Sequence, residues 1–127
     1  MNDGNAFKGK TGLTRVRNAF RYSMQGLAAT WRHEDAFRQE VLLAIILIPI
    51  ALWLNVGVTA KALMIAAVML VLIVELLNSA MEAVVDRISL EHHPLAKRAK
   101  DVGSAAVFLS LINAGIVWAV IIWSKYA

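Results

Sequence analysis

Glu75-Leu76-Leu77-Asn78-Ser79-Ala80-Met81-Glu82-Ala83-Val84-Val85-Asp86 continues, with no Gly or Pro, the apolar run that opens at Ala62. The stretch therefore reads as the last turns of one long helix. At about 100° per residue, Glu82 falls roughly 20° behind Glu75, Asp86 roughly 20° ahead, Ser79 roughly 40° ahead and Asn78 roughly 60° behind. Three carboxylates, an amide and a hydroxyl share one face, and Leu76, Leu77, Met81, Ala83 and Val84 cover the rest. With a rise of about 1.5 Å per residue, Glu82 lies roughly 10 Å along the axis from Glu75, and Asp86 roughly 6 Å further. In lipid, Glu75 is well inside the apolar layer and Asp86 is at its edge. A carboxylate there is costly, faces protein or water, and marks a functional site by default. Two readings stand at this point. Asn78 and Ser79 suit polar glue between helices, whereas three acids on one line repel unless cations or protons intervene, which suits a charged ligand or a metal.

The 127 residues are 59% hydrophobic, with mean hydropathy +0.61 and long uncharged runs, which is the signature of a membrane protein. Cysteine is absent, so there is no disulfide framework and no thiolate metal site. The net charge of +4 is distributed by position. Of the Lys and Arg residues, seven precede residue 41, one lies in the turn near 61, four lie in 86–101 and one closes the chain. The positive-inside rule then places the N-terminus and the 86–101 loop in the cytoplasm and the C-terminus outside. Because the basic residues interleave with spans and no nucleic-acid-binding signature appears, that charge does not indicate a nucleic-acid partner.

Residues 1–12 form a polar, Gly-rich tail without the apolar core and cleavage site of a signal peptide. From Leu13 the pattern turns helical. Leu13, Val16, Phe20, Met24, Leu27 and Trp31 line one face, Arg15, Asn18, Tyr22 and Gln25 the other, with Arg17 and Arg21 to one side. Such a basic amphipathic helix, taken over 13–40, lies in the membrane interface. The charge-dense elbow from His33 to Glu40 leads into a first span at 41–58 with Pro49 inside, then a short turn, a second span at 62–85, a polar loop at 86–101 and a third span at 102–123. Trp31 falls at the inner interface and Trp53 and Trp123 near the outer one, while Trp118 is deeper. The expected class is an all-α integral membrane protein whose acidic stripe, Glu34 elbow and Lys100-Asp101 pair converge on the cytoplasmic side.

A site there meets soluble metabolites on one side and lipid headgroups on the other. Carboxylates without thiols suit a hard cation such as Mg²⁺, which takes one or two of them plus substrate phosphates. Lys100 and Arg15 suit phosphate oxygens, and Glu75 suits a base. Those are the parts that phosphoryl transfer needs, although no Walker A loop or kinase signature set is present. Residue pattern alone stops at a membrane-interface enzyme or transporter handling a phosphate compound.

Three strings carry a resemblance beyond that: Ala36-Phe37-Arg38-Gln39-Glu40, Val74 through Arg87, and Arg98-Ala99-Lys100-Asp101-Val102-Gly103-Ser104-Ala105-Ala106. The sequence resembles the prokaryotic diacylglycerol kinase family from about Gly12 to the C-terminus. Its middle string matches the family's glutamate-x-x-asparagine-serine-x-x-glutamate-x-x-x-x-aspartate signature. The resemblance implies a homotrimeric helical bundle in the bacterial inner membrane, with an interfacial helix and three spans per subunit and active sites built between subunits. It implies Glu75 as general base toward the lipid hydroxyl, with Asn78 holding that base and the reacting phosphate. Glu34 and Glu82 would ligate Mg²⁺ on ATP. Arg15, Tyr22, Lys100 and Asp101 would contact the nucleotide, together with Glu91, His92 and His93. Arg15, Ala19, Ser23, Trp31, Gln39, Glu40, Ser104 and Trp118 would line the lipid substrate along with Glu75. The pattern implies tyrosine at 92 and lysine at 18, where this sequence has His92 and Asn18.

The expected activity is ATP-dependent phosphorylation of diacylglycerol to phosphatidic acid. Undecaprenol is the alternative lipid alcohol, since the stripe alone does not select the chain. A small proton-coupled exporter using Glu75, or a non-catalytic adaptor, are readings of other classes. One buried acid suffices for an exporter, which leaves Glu82, Asp86, Glu34 and Lys100 at one end unexplained.

Overall fold

The computed structural model describes residues 12–88 and 93–127, and every regular element in them is an α-helix. The helices are α1 (Leu13–His33), α2 (Asp35–Trp53), α3 (Val58–Ile88) and α4 (Pro94–Tyr126). The chain divides into two units, one ending at His33 and one running from Glu34 onward.

In the first unit, Gly12 enters α1 at a φ of 68°, a left-handed value that a glycine adopts without strain, and its carbonyl accepts from Val16 N–H at 3.1 Å. No residue of α1 is buried, and Leu13, Val16, Phe20, Met24, Leu27 and Trp31 are all exposed along its apolar stripe. The helix stops at His33, not at residue 40 as the sequence reading has it. Arg32 places a positive charge in the last turn of α1, and Asp35 opens α2 with negative charge. Each arrangement suits its helix dipole, so the backbone breaks between them, at an extended Glu34.

In the second unit, α2, α3 and α4 are each long and apolar enough to cross a membrane. α3 is the middle helix and packs against both α2 and α4, and Ala44 and Leu47 of α2 line one small cavity with Leu111 and Ala114 of α4. The α2–α3 seam is built on a seven-residue rhythm. Phe37, Ala44 and Ala51 are buried on α2, as are Met64, Ala67, Val68 and Val71 on α3, and the seven-residue spacing on α2 keeps one stripe facing a partner helix. Trp118 ties α4 to α3, its indole N–H donating to the Met64 carbonyl at 3.1 Å.

Three boundaries differ from the sequence reading. The first span ends at Trp53 and the next helix starts at Val58, because Leu54 turns extended and Lys61 Nζ donates to the Leu52 carbonyl at 2.6 Å. That ammonium closes the end of α2, where unpaired carbonyls favour a cation. The stretch read as a polar loop over 86–101 is mostly helix, with α3 continuing to Ile88 and α4 beginning at Pro94. His93 caps α4 through Nδ1, which accepts from Leu95 N–H at 3.1 Å, and Pro94 occupies the first turn, where its missing N–H costs nothing. The helix of the third span, α4, likewise runs to Tyr126, past residue 123. Polarity marks where a helix leaves lipid, not where it ends.

Candidate active site

The seam positions of α3 run Met64, Val68, Val71 and then Glu75, so a carboxylate takes a place otherwise held by an apolar side chain. This explains why Glu75 is only 4% exposed. On α2 the rhythm of Phe37, Ala44 and Ala51 places Glu40 on the same seam, and the Glu40 and Glu75 carboxyls lie close enough to act on each other electrostatically. Glu40 Oε1 is buried without a hydrogen-bond partner. The sequence reading assigns Glu40 to the lipid groove at the end of the interfacial helix. In the structure it belongs to the spanning helix, as the neighbour of Glu75. Glu34 and Glu82 both act electrostatically on Glu75. Glu34 makes no side-chain capping bond to α2, which leaves its carboxylate available.

One turn along α3, Asn78 Oδ1 and Ser79 Oγ are buried without hydrogen-bond partners. The Asn78 amide lies directly against Gly103 of α4, in the space that a side chain there would fill, with the Met81 methyl beside it. An open groove of about 540 Å³ runs along this junction between Val74, Leu77, Asn78, Met81, Arg98 and Gly103.

At the polar end, Lys100 Nζ meets Asp86 Oδ1 at 2.6 Å across α3 and α4, and Glu82 adds to its field. Asp101 pairs with Lys97 at 2.7 Å along α4. The second unit therefore brings together Glu34, Glu40 and Glu75, with Asn78, Glu82 and Lys100 following along α3 and α4. Gln39 and Ser104 are exposed, whereas Trp118 is half-buried and bonded to Met64. Arg15, Ala19, Tyr22, Ser23 and Trp31 all lie on α1. There the Arg21 guanidinium stands 5.4 Å from the Tyr22 ring centre, and Ser23 Oγ donates to the Ala19 carbonyl at 2.9 Å. Glu91 and His92 lie outside the described residues. The Asp86 partnership went unassigned in the sequence reading, though its place on the stripe was the available signal.

The model of the prokaryotic diacylglycerol kinase family matches residues 21–122. The chain belongs to that family. It is 58% identical over 116 residues to the diacylglycerol kinase of Pseudomonas aeruginosa, covering 91% of this chain and 94% of that one. The diacylglycerol kinase of Escherichia coli K12 is 52% identical over 91% of this chain and 95% of its own. That of Helicobacter pylori J99 is 41% identical over 91% and 86%. The family is one of lipid kinases, and three membrane-length apolar helices agree with it.

Kinase chemistry is nucleotide-dependent, and the donors present fit one form of metal. No group of three or more His, Asp or Glu side chains among the described residues is arranged to cage an ion. Mg²⁺ carried on a triphosphate needs only one or two carboxylates. Glu34 and Glu82 are carboxylates of the type such an ion would take, and both act electrostatically on Glu75.

Proposed function

We propose that this chain transfers the γ-phosphoryl group of ATP to the free hydroxyl of diacylglycerol, giving phosphatidic acid at the cytoplasmic face of a bacterial inner membrane. The observation that carries the reading is a carboxylate, Glu75, set into a helix seam beside Glu40, with further acids and a lysine following toward the polar end. Glu75 takes the proton from the lipid hydroxyl as the oxygen attacks phosphorus. Glu40 holds the orientation of Glu75. Asn78, with its amide oxygen seated against Gly103, steadies the base and the reacting phosphate. Glu34 and Glu82 would hold Mg²⁺, which would supply charge neutralisation to the phosphates of the nucleotide. Lys100 binds phosphate oxygens as a point charge, with Asp101 and His93 nearby on the nucleotide side. The nucleotide roles of Arg15 and Tyr22, and the lipid-lining roles of Ala19, Ser23, Trp31, Gln39, Ser104 and Trp118, follow from the family resemblance.

Three helices cannot by themselves enclose both a nucleotide and a lipid. The exposed apolar faces of α4, including Phe108, Leu109, Ile116 and Val120, are open to lipid or to further copies. The working unit in this reading is a homotrimer with shared sites, N-termini in the cytoplasm and C-termini in the periplasm.

The test is a phosphorylation assay with labelled ATP, offering diacylglycerol and undecaprenol to purified wild type and to Glu75→Gln. Diacylglycerol is the better substrate, and the variant loses about three orders of magnitude in kcat while its nucleotide affinity stays close to wild type. Preference for the polyprenol overturns the substrate, and normal turnover by Glu75→Gln overturns the base.

A further inference from the structure

Asp86 takes no part in the reaction as described, yet it joins the two helices that carry the polar end of the site. Arg38–Asp35 and Lys97–Asp101 pair residues of one helix, whereas Asp86 Oδ1 reaches from α3 to Lys100 Nζ on α4 at 2.6 Å. Both partners remain partly exposed, and exposed pairs of this kind contribute little to folding. The consequence of the pair therefore lies in where it holds the ammonium.

Lysine carries its charge on a flexible four-carbon stem, so a phosphate contact made by an untethered lysine must first order that stem. Asp86 occupies one of the ammonium's three donors and leaves two for phosphate oxygens. It also follows Glu82 by one helical turn, about 6 Å along the axis. Glu82 contributes to the field at Lys100 as well. The ammonium is thereby fixed beside the carboxylate assigned to the metal on the triphosphate. Proximity to solvent keeps the two free donors accessible to an arriving nucleotide.

We propose that Asp86 is a positioning residue for nucleotide binding: its bond across the α3–α4 junction pre-sets the Lys100 ammonium one turn from Glu82, where the phosphates of Mg-ATP arrive. The inference rests on the reading of Lys100 as a phosphate contact.

The experiment measures KM for Mg-ATP, kcat and thermal unfolding for Asp86→Asn, Asp86→Glu, Lys100→Met and the Asp86→Asn/Lys100→Met double variant. Asp86→Asn keeps the size and loses the charge. Its KM for Mg-ATP rises about fivefold, with kcat and the KM for lipid within about twofold of wild type. Its unfolding temperature is unchanged, which separates positioning from folding. Asp86→Glu, whose carboxylate still reaches across the junction, recovers most of the lost affinity. Lys100→Met raises the same KM, and adding Asp86→Asn to it raises it no further, since the charge to be positioned is gone. An unchanged or lowered KM in Asp86→Asn overturns the proposal while a raised KM in Lys100→Met leaves the nucleotide site standing. An equal rise in the Lys100→Met background also overturns it. If Lys100→Met itself leaves the KM for Mg-ATP unchanged, the reading of Lys100 fails and the role of Asp86 falls with it.

Discussion

Replacing Gly103 by alanine tests how the Asn78 amide is held. A methyl group at 103 would run into Asn78 Oδ1 and the Met81 terminal methyl, both of them far ends of flexible side chains. Alanine in a helix interior ordinarily gains about 0.5–1 kcal/mol over glycine. Overpacking a tight contact costs roughly 1–3 kcal/mol, toward the lower end where the neighbours can swing aside. The two nearly cancel, so the variant's folding free energy stays within about 1 kcal/mol of wild type, inside the spread of these terms. Activity behaves otherwise, because the group that swings aside is the one assigned to the base and the phosphate. Losing one hydrogen bond to a charged partner costs roughly 1.5–3 kcal/mol, which corresponds to a fall in kcat of about ten- to a hundredfold. The assay is diacylglycerol phosphorylation in mixed micelles, run beside thermal unfolding in the same detergent. Gly115→Ala serves for comparison, since it lies on the same helix with nothing within 4 Å of where its Cβ would stand. Full turnover by Gly103→Ala, with Asn78→Ala inactive, would show that Asn78 keeps its place and that the glycine does not govern it.

Two more outcomes follow from the same geometry. Glu82→Gln raises the Mg²⁺ concentration needed for half-maximal activity, because an amide is a weaker ligand for a hard cation than a carboxylate; an identical magnesium titration contradicts metal ligation. Trp118→Phe keeps the ring but deletes the 3.1 Å bond to the Met64 carbonyl, lowering stability by about 0.6 kcal/mol, and by no more than about 1.7. An unfolding profile indistinguishable from wild type, together with altered lipid affinity, would instead assign the indole to substrate.

The sequence carries the helical class and the three spans because lipid leaves so few choices: long uncharged runs must fold as helices to satisfy their own backbone. The acidic stripe is legible for the same reason, since one helix fixes the angular relation of its own side chains. What the sequence does not carry is the register between helices. The meeting of Glu40 with Glu75 depends on how α2 lies along α3, which hydropathy does not set. The contact of Asn78 with Gly103 and the bond between Asp86 and Lys100 depend equally on how α3 lies along α4. Gly103 offers a weak clue, as a small residue suited to close helix approach, but nothing local names its partner.

Lys61 supplies a ruler for the site. Its ammonium closes the turn between α2 and α3, and a charge at that end belongs at a membrane surface. Counting along α3 at about 1.5 Å per residue, Glu75 lies about 21 Å from Lys61, Glu82 about 32 Å and Asp86 about 38 Å. The apolar layer is about 30 Å thick. Glu75 therefore stands about 9 Å inside the far surface, at a depth that a hydroxyl on a glycerol backbone reaches without leaving the bilayer. On the same count, for a helix along the bilayer normal, Glu82 would fall at the surface and Asp86, with its Lys100 partner, beyond it. The boundary between a substrate that dissolves in lipid and one that dissolves in water falls between Asn78 and Glu82. An exporter would need its acids within a path that crosses this boundary and continues to the other side. Beyond Glu75 the buried side chains of α3 are apolar, Met64, Val68 and Val71, so no further acid carries the stripe toward the other side.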